Sequence, residues 1–116
     1  MQWSTCTDDP APLDAAIAGS LRVVTAWDGG HLVGLARIVG DGLTIVYLQD
    51  ILVRPAHQRR GIGRELFDRV FEPYSDVRQK VLITDDHPAQ KTFYESMGFT
   101  DTVDLEFPIR TFVQFR

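Results

Sequence analysis

Residues 49–71 read QDILVRPAHQRRGIGRELFDRVF, and the rest of the chain is arranged around them. The apolar run Ile51-Leu52-Val53 is rich in β-favouring types, and Pro55 stops a strand by removing a ladder donor and fixing φ. A basic loop follows, Gln58-Arg59-Arg60-Gly61-Ile62-Gly63. Ile62, Leu66, Phe67, Val70 and Phe71 then recur at helical spacing, with Arg64, Glu65, Asp68, Arg69 and Glu72 opposite them and Pro73 at the end. The stretch therefore predicts strand, loop and amphipathic helix in succession.

Such a junction suits an anion. The first turn of a helix has N–H groups without internal partners, and the macrodipole adds about half a positive charge there. Gly61 and Gly63 let a bulky polyanion approach the backbone, and Arg59 and Arg60 add mobile positive charge. The loop is not a Walker loop, since no Gly-Lys-Ser/Thr occurs. It is not a dinucleotide fingerprint either, because Leu66 stands where the third glycine would fall.

What remains is Q-x-x-G-x-G on a strand–loop–helix, preceded by the V-x-P strand end at 53–55. Downstream lies Phe93-Tyr94-Glu95-Ser96-Met97-Gly98-Phe99, of the form F-Y-x-x-x-G-F. Together these resemble the acyl-CoA signature of the GNAT superfamily, the acyl-CoA-dependent N-acyltransferases. The resemblance runs from about residue 20 onward.

Composition frames this reading. At 116 residues the chain predicts one small domain, 1–116, able to bury about two thirds of its unfolded surface. It is 44% hydrophobic and carries a formal charge of −4. That charge disfavours nonspecific nucleic-acid binding, and the local arginine pair fits one small anionic ligand instead. Cys6 is the single cysteine, so no internal disulfide forms. No apolar run approaches the ~20 residues of a membrane span and no signal-peptide pattern opens the chain, so the expected location is cytoplasmic. His31 and His57 lack a second ligand at useful spacing, and no metal is expected. Trp3 and Trp27 read as packing residues.

The remaining elements follow from local chemistry. Residues 1–11, polar and punctuated by proline, read as a loose lead-in, and 12–19 as a short helix. Strands are expected at 22–27 and 31–39 around the Asp28-Gly29-Gly30 turn, then a long one at 43–53 after Gly40-Asp41-Gly42. Residues 80–84 should pair in parallel after the helical crossover. A second helix opens at Asp86-His87-Pro88 with Ala89, Phe93 and Met97 on one face and Gly98 at its end. Alternation over 105–115, interrupted at Pro108, predicts a last strand. The fold class is α+β: a mixed sheet, antiparallel meander then helix–strand–helix–strand, flanked by helices. Relatives usually carry a further strand and longer N-terminal helices. With only about 20 residues ahead of the first expected strand, the acceptor site is expected to be open or completed by another subunit in a homodimer.

The resemblance assigns roles. Ile51, Leu52 and Val53 would offer backbone groups to the pantetheine arm of acetyl-CoA, with the Ile51 N–H polarising the thioester carbonyl. Gln58, Arg59, Arg60, Gly61, Ile62, Gly63 and Arg64 would hold the pyrophosphate. Tyr94 would protonate the departing thiolate, since a phenol with pKa near ~10 keeps its proton at neutral pH. Two departures stand out. His87 and Gln90 replace the Asn and Ala of the common N-x-x-A-x-x-F-Y, and His87 suits a helix start. Gln49 stands where relatives often have a glutamate base, leaving Asp50, Asp85, Asp86, His87 or a water chain for that role; Asp50 should face away from Gln49 unless a bulge intervenes. Direct attack by a primary amine in a ternary complex is one reading, and a non-catalytic acyl-CoA-binding or interaction module is the other. The amine itself carries no signature.

Overall fold

The computed structural model describes residues 1–6 and 15–116. Two compact units are distinguished, Met1–Ile83 and Thr84–Arg116.

The first unit is a five-stranded sheet in sequential order, β1 (Gln2–Cys6), β2 (Arg22–Asp28), β3 (His31–Gly40), β4 (Ile45–Val53) and β5 (Gln79–Leu82). The first four strands are antiparallel neighbours and β5 joins β4 in parallel. The β2–β3 turn is made by Gly29 and Gly30, with φ of 58° and 84°, the double left-handed geometry that matches strand twist. Before β4, the Asp41 carboxylate accepts from the N–H groups of Leu43, Thr44 and Ile45 and from the Thr44 hydroxyl. This closed turn delays the strand to Ile45, two residues later than the periodicity predicts.

Helix α1 (Ala15–Ala18) precedes β2, and α2 (Ile62–Phe71) crosses from β4 to β5. The part of the expected first helix at 12–14 lies outside the described residues. The five apolar residues read from the α2 sequence, Ile62, Leu66, Phe67, Val70 and Phe71, are all buried. With Val24, Ala26, Ala36, Ile38, Val46 and Leu48 they form the core. Burying such side chains contributes roughly 1.5–3 kcal/mol each. Gly34 lets α2 approach: a Cβ there would lie 3.0 Å from the Leu66 side chain and 3.3 Å from that of Ile62.

Two expectations need correction. Residues 2–6 are not a loose lead-in but a strand registered from Gln2↔Trp27 to Cys6↔Val23. An edge strand is held by its backbone ladder, so it needs little apolar pattern of its own; Trp3 adds a ring 4.7 Å from the Arg69 guanidinium carbon. β1 thus adds one strand to those the sequence pattern predicts. Residues 105–115, conversely, form no strand.

In the second unit, α3 (Pro88–Ser96) starts at His87, whose Nδ1 accepts from the Ala89 N–H at 3.1 Å, the helix-start role. Gly98, at φ 92°, follows its end. The sheltered stripe is Gln90, Phe93, Tyr94 and Met97 rather than Ala89, Phe93 and Met97; Ala89 is exposed. A short 3-10 turn, Thr102–Asp104, is tied back by Lys91 Nζ at 3.0 Å from Asp104 and 3.6 Å from Asp101.

Candidate active site

β4 changes partners along its length. Its pairing with β5 runs from Ile45↔Gln79 to Leu48↔Leu82 and ends there, while its pairing with β3 continues to Val53. Among the described residues, β4 beyond Leu48 therefore has one ladder and one open edge.

The transition falls on a β-bulge. Ile38 faces Leu48 and Arg37 faces Asp50, so Gln49 is the extra residue. Ile51 pairs with Ala36 and Leu48 with Ile38, which puts Ile51 and Leu48 on one sheet face and both Gln49 and Asp50 on the other. The conditional expectation for Asp50 is thus met: the bulge intervenes and the two residues share a face.

The open edge has a defined polarity. The Arg54 N–H donates to the Val33 carbonyl of β3 at 2.8 Å. Because successive strand residues alternate, the N–H groups of Ile51 and Val53 are directed away from β3, toward the open edge. The Val53 carbonyl points the same way and accepts from Gln58 Nε2 at 3.1 Å. Gln58 thus braces the strand end by its side chain.

After Val53 the chain is pinned to the sheet. Arg54 Nε donates to the Leu32 carbonyl, and His57 Nε2 lies 3.2 Å from Asp28 Oδ2 at the β2–β3 turn. Arg59 has φ 66°, the sole left-handed non-glycine among the described residues, and Gly61, at φ 80°, is the N-cap of α2. A left-handed residue entering a helix turns successive N–H groups toward one concave side. The Glu65 N–H donates to the Gly61 carbonyl at 3.1 Å, and Ile62 and Gly63 stand in the first turn, where a helix supplies no carbonyl for its N–H groups. A Cβ at Gly61 would meet nothing within 4 Å, and Arg59, Arg60 and Arg64 are exposed around it. The loop leaves room for a phosphate at its backbone.

On the face carrying Asp50, its Oδ2 lies 2.6 Å from Arg37 Nε. Arg37 Nη1 also donates to the Ser20 hydroxyl at 3.2 Å and the Ala16 carbonyl at 3.3 Å. Arg37 and Ser20 escaped the sequence reading, because an arginine within an apolar strand has no local motif. An open apolar depression of about 250 Å³ lies at the β3–β4 end, lined by Leu32, Val33, Gly34, Leu35, Leu52 and Arg54.

The structure joins Ile51–Val53 and 58–64 in one strand–loop–helix. Tyr94, Asp85, Asp86 and His87 belong to the second unit. There Tyr94 is 9% exposed, its ring 5.2 Å from that of Phe93 and edge-on. Burial, with the Asp85 charge adding to it, pushes the phenol above its ordinary value, so the proton is held more firmly. Among the described residues no group of three His, Cys, Asp or Glu side chains is placed to hold a metal, and no helix is long and apolar enough to cross a membrane.

The mixed sheet, with β4 leading through a glycine loop into α2, is the fold shared with solved acetyltransferases. The acetyltransferase (GNAT) domain family matches residues 3–109, and the chain belongs to that family. An uncharacterised N-acetyltransferase of Prochlorococcus marinus is 32% identical over 91 residues, 73% of this chain and 49% of that protein. The chain thus spans about half the length of that curated relative. A GNAT-family acetyltransferase of Streptococcus pneumoniae has a TM-score of 0.78 at 34% identity, covering 87% of this chain and 76% of the other. An aminoglycoside N-acetyltransferase solved with CoA shares the fold at TM-score 0.65 and 19% identity, covering 84% of each chain.

Proposed function

We propose that the chain transfers an acetyl group from acetyl-CoA to a primary amine by direct attack in a ternary complex. The observation that carries this reading is the open edge of β4 past the Gln49 bulge, continuous with the unfilled backbone cradle at Gly61. The pantetheine arm adds to that edge as a strand would, and the pyrophosphate meets the N–H groups and arginines of 58–64.

The chemistry follows from the groups in hand. The amine lone pair attacks the thioester carbonyl carbon, and the developing oxyanion accepts from the Ile51 N–H. Collapse breaks the C–S bond, and the thiolate takes the Tyr94 phenolic proton. The surplus proton on nitrogen leaves through water, which restores the Tyr94 phenol. Asp50 is committed to Arg37 and serves as a positioning residue, and His87 to its helix cap. The reaction needs no metal. The screen takes arylalkylamines, polyamines, aminoglycosides and protein N-termini side by side. The site of action proposed is the cytoplasm, where acetyl-CoA is made.

The test is calorimetric titration with acetyl-CoA, CoA and ATP, followed by CoA release with the amine panel. Wild type is expected to bind both CoA ligands and not ATP, and Gly61→Glu to bind neither. Gly61→Asn, which tolerates the left-handed backbone, separates charge repulsion from strain. Absence of CoA binding overturns the reading, and binding without turnover on any amine leaves the acyl-CoA-binding module in its place.

A further inference from the structure

We infer that Asp28 and His57 are positioning residues for the phosphate loop: through this pair the tip of the β2–β3 hairpin holds 59–61 in the shape that receives the pyrophosphate. This role presupposes the acetyl-CoA reading above. Two local costs meet in the segment. Arg59 holds φ 66° with a full side chain, a conformation that few residues besides glycine and asparagine adopt. Two residues earlier, His57 Nδ1 is buried and, among the described residues, has no hydrogen-bond partner. Such costs persist only where surrounding contacts over-determine them, and they gather where a ligand meets a preformed surface.

The contacts that hold the segment lie on its N-terminal side. His57 Nε2 is 3.2 Å from Asp28 Oδ2, and a carboxylate only accepts, so the neutral ring carries its hydrogen on Nε2. Nδ1 is then left as a buried lone pair, which the ring gives up to make the Asp28 contact. Asp28 ends β2 and is fixed by the Gly29-Gly30 turn, while the Leu32 carbonyl of the same hairpin takes the Arg54 guanidinium. Between these pins the His57 N–H donates to the Arg54 carbonyl at 2.8 Å, and the Gln58 N–H to the Pro55 carbonyl at 3.3 Å. Arg59, Arg60 and Gly61 then stand in solvent until the chain is anchored again at buried Ile62. The shape of the loop is therefore set from its two ends.

The pair is poorly placed to support the fold as a whole. The Asp28 side chain is 48% exposed and that of His57 20%, so the contact is screened and adds little to global stability. Its leverage is local. Fixing a loop in the bound shape before the ligand arrives removes an ordering cost from binding, and the gain appears as affinity.

The experiment uses the full chain and combines backbone order parameters of 59–61 without ligand, from nuclear magnetic relaxation, with calorimetric titration of acetyl-CoA. Wild type is expected to be rigid there, with order parameters of about 0.85. Asp28→Ala and His57→Phe are expected to lower them to about 0.6 while the centre of α2 stays rigid, and to weaken acetyl-CoA binding about tenfold. His57→Phe keeps a ring and removes the orphaned nitrogen, so its melting temperature is expected to hold or rise as affinity falls. Asp28→Asn, which still offers an oxygen to the Nε2 hydrogen, is expected to bind within about threefold of wild type. The double variant Asp28→Ala/His57→Phe is expected to lose no more than either single one. Loop order or Kd unmoved by both single variants overturns the inference alone. Stability falling in step with affinity in His57→Phe makes the pair a packing contact and overturns it too. A wild type that binds no CoA ligand overturns the acetyl-CoA reading, and the positioning role with it.

Discussion

Asp50 Oδ2 sits 2.6 Å from Arg37 Nε, one residue beyond the bulge at Gln49. The pair locks the point at which β4 leaves β5, and Ser20 and Ala16 hold the far side of the guanidinium. Asp50→Asn keeps the shape and removes the charge. It is expected to lower stability by about 1–3 kcal/mol, since Arg37 is largely sheltered, and to leave the acidic limb of the pH–rate profile in place. Denaturant unfolding and a kcat/KM profile check both; loss of that limb would make Asp50 the base instead.

Tyr94→Phe separates chemistry from binding. As the thiolate's proton donor, Tyr94 is expected to contribute on the order of 10²–10⁴-fold to kcat. The acetyl-CoA Kd should stay within twofold, because the acid acts on the transition state rather than on the bound ligand (~2-fold being only ~0.4 kcal/mol). An unchanged kcat would remove Tyr94 from the mechanism.

The same phenol carries a pH signature. Its folded pKa is raised above 10.0, so its share of stability is complete below that value and lost as pH rises through the folded pKa. Wild type should therefore lose stability above about pH 10, and Tyr94→Phe should lose less over that interval. Urea midpoints measured from pH 8 to 11 test this.

Asp41 behaves in the opposite sense. The Thr44 hydroxyl and three backbone N–H groups hold its carboxyl far below the usual carboxylate range. A depressed pKa gives stability that is present above the unfolded value near ~3.9 and lost as pH falls through the folded one. Asp41→Asn is expected to flatten the acid side of the stability curve below about pH 4. Matching acid slopes for variant and wild type would contradict the turn's role.

Gly61, at φ 80° with open space around it, makes a backbone prediction. Gly61→Ala should cost about 1–2 kcal/mol, and Gly61→Asn clearly less, because asparagine tolerates the left-handed region. Thermal melts of the two variants decide it; equal losses would mean that something other than φ sets the requirement.

Much of this was written locally in the chain. The α2 stripe, the glycine N-cap, the double-glycine hairpin and His87 at the start of α3 each depend on neighbours within a few residues, and local chemistry specifies them. The phosphate loop was legible for the same reason. Strand β1 was not, because an edge strand is defined by hydrogen bonds to β2, 20 or so residues away, which leave little mark on its side chains. The bulge at Gln49 was equally hidden: register is a property of two strands, and only the pairing of 36–38 with 48–51 puts Asp50 beside Gln49 and against Arg37. Residues 105–115 mark the opposite limit. Their alternation specifies a strand, but a strand needs a partner edge, and a sequence carries the pattern without saying which edge completes it.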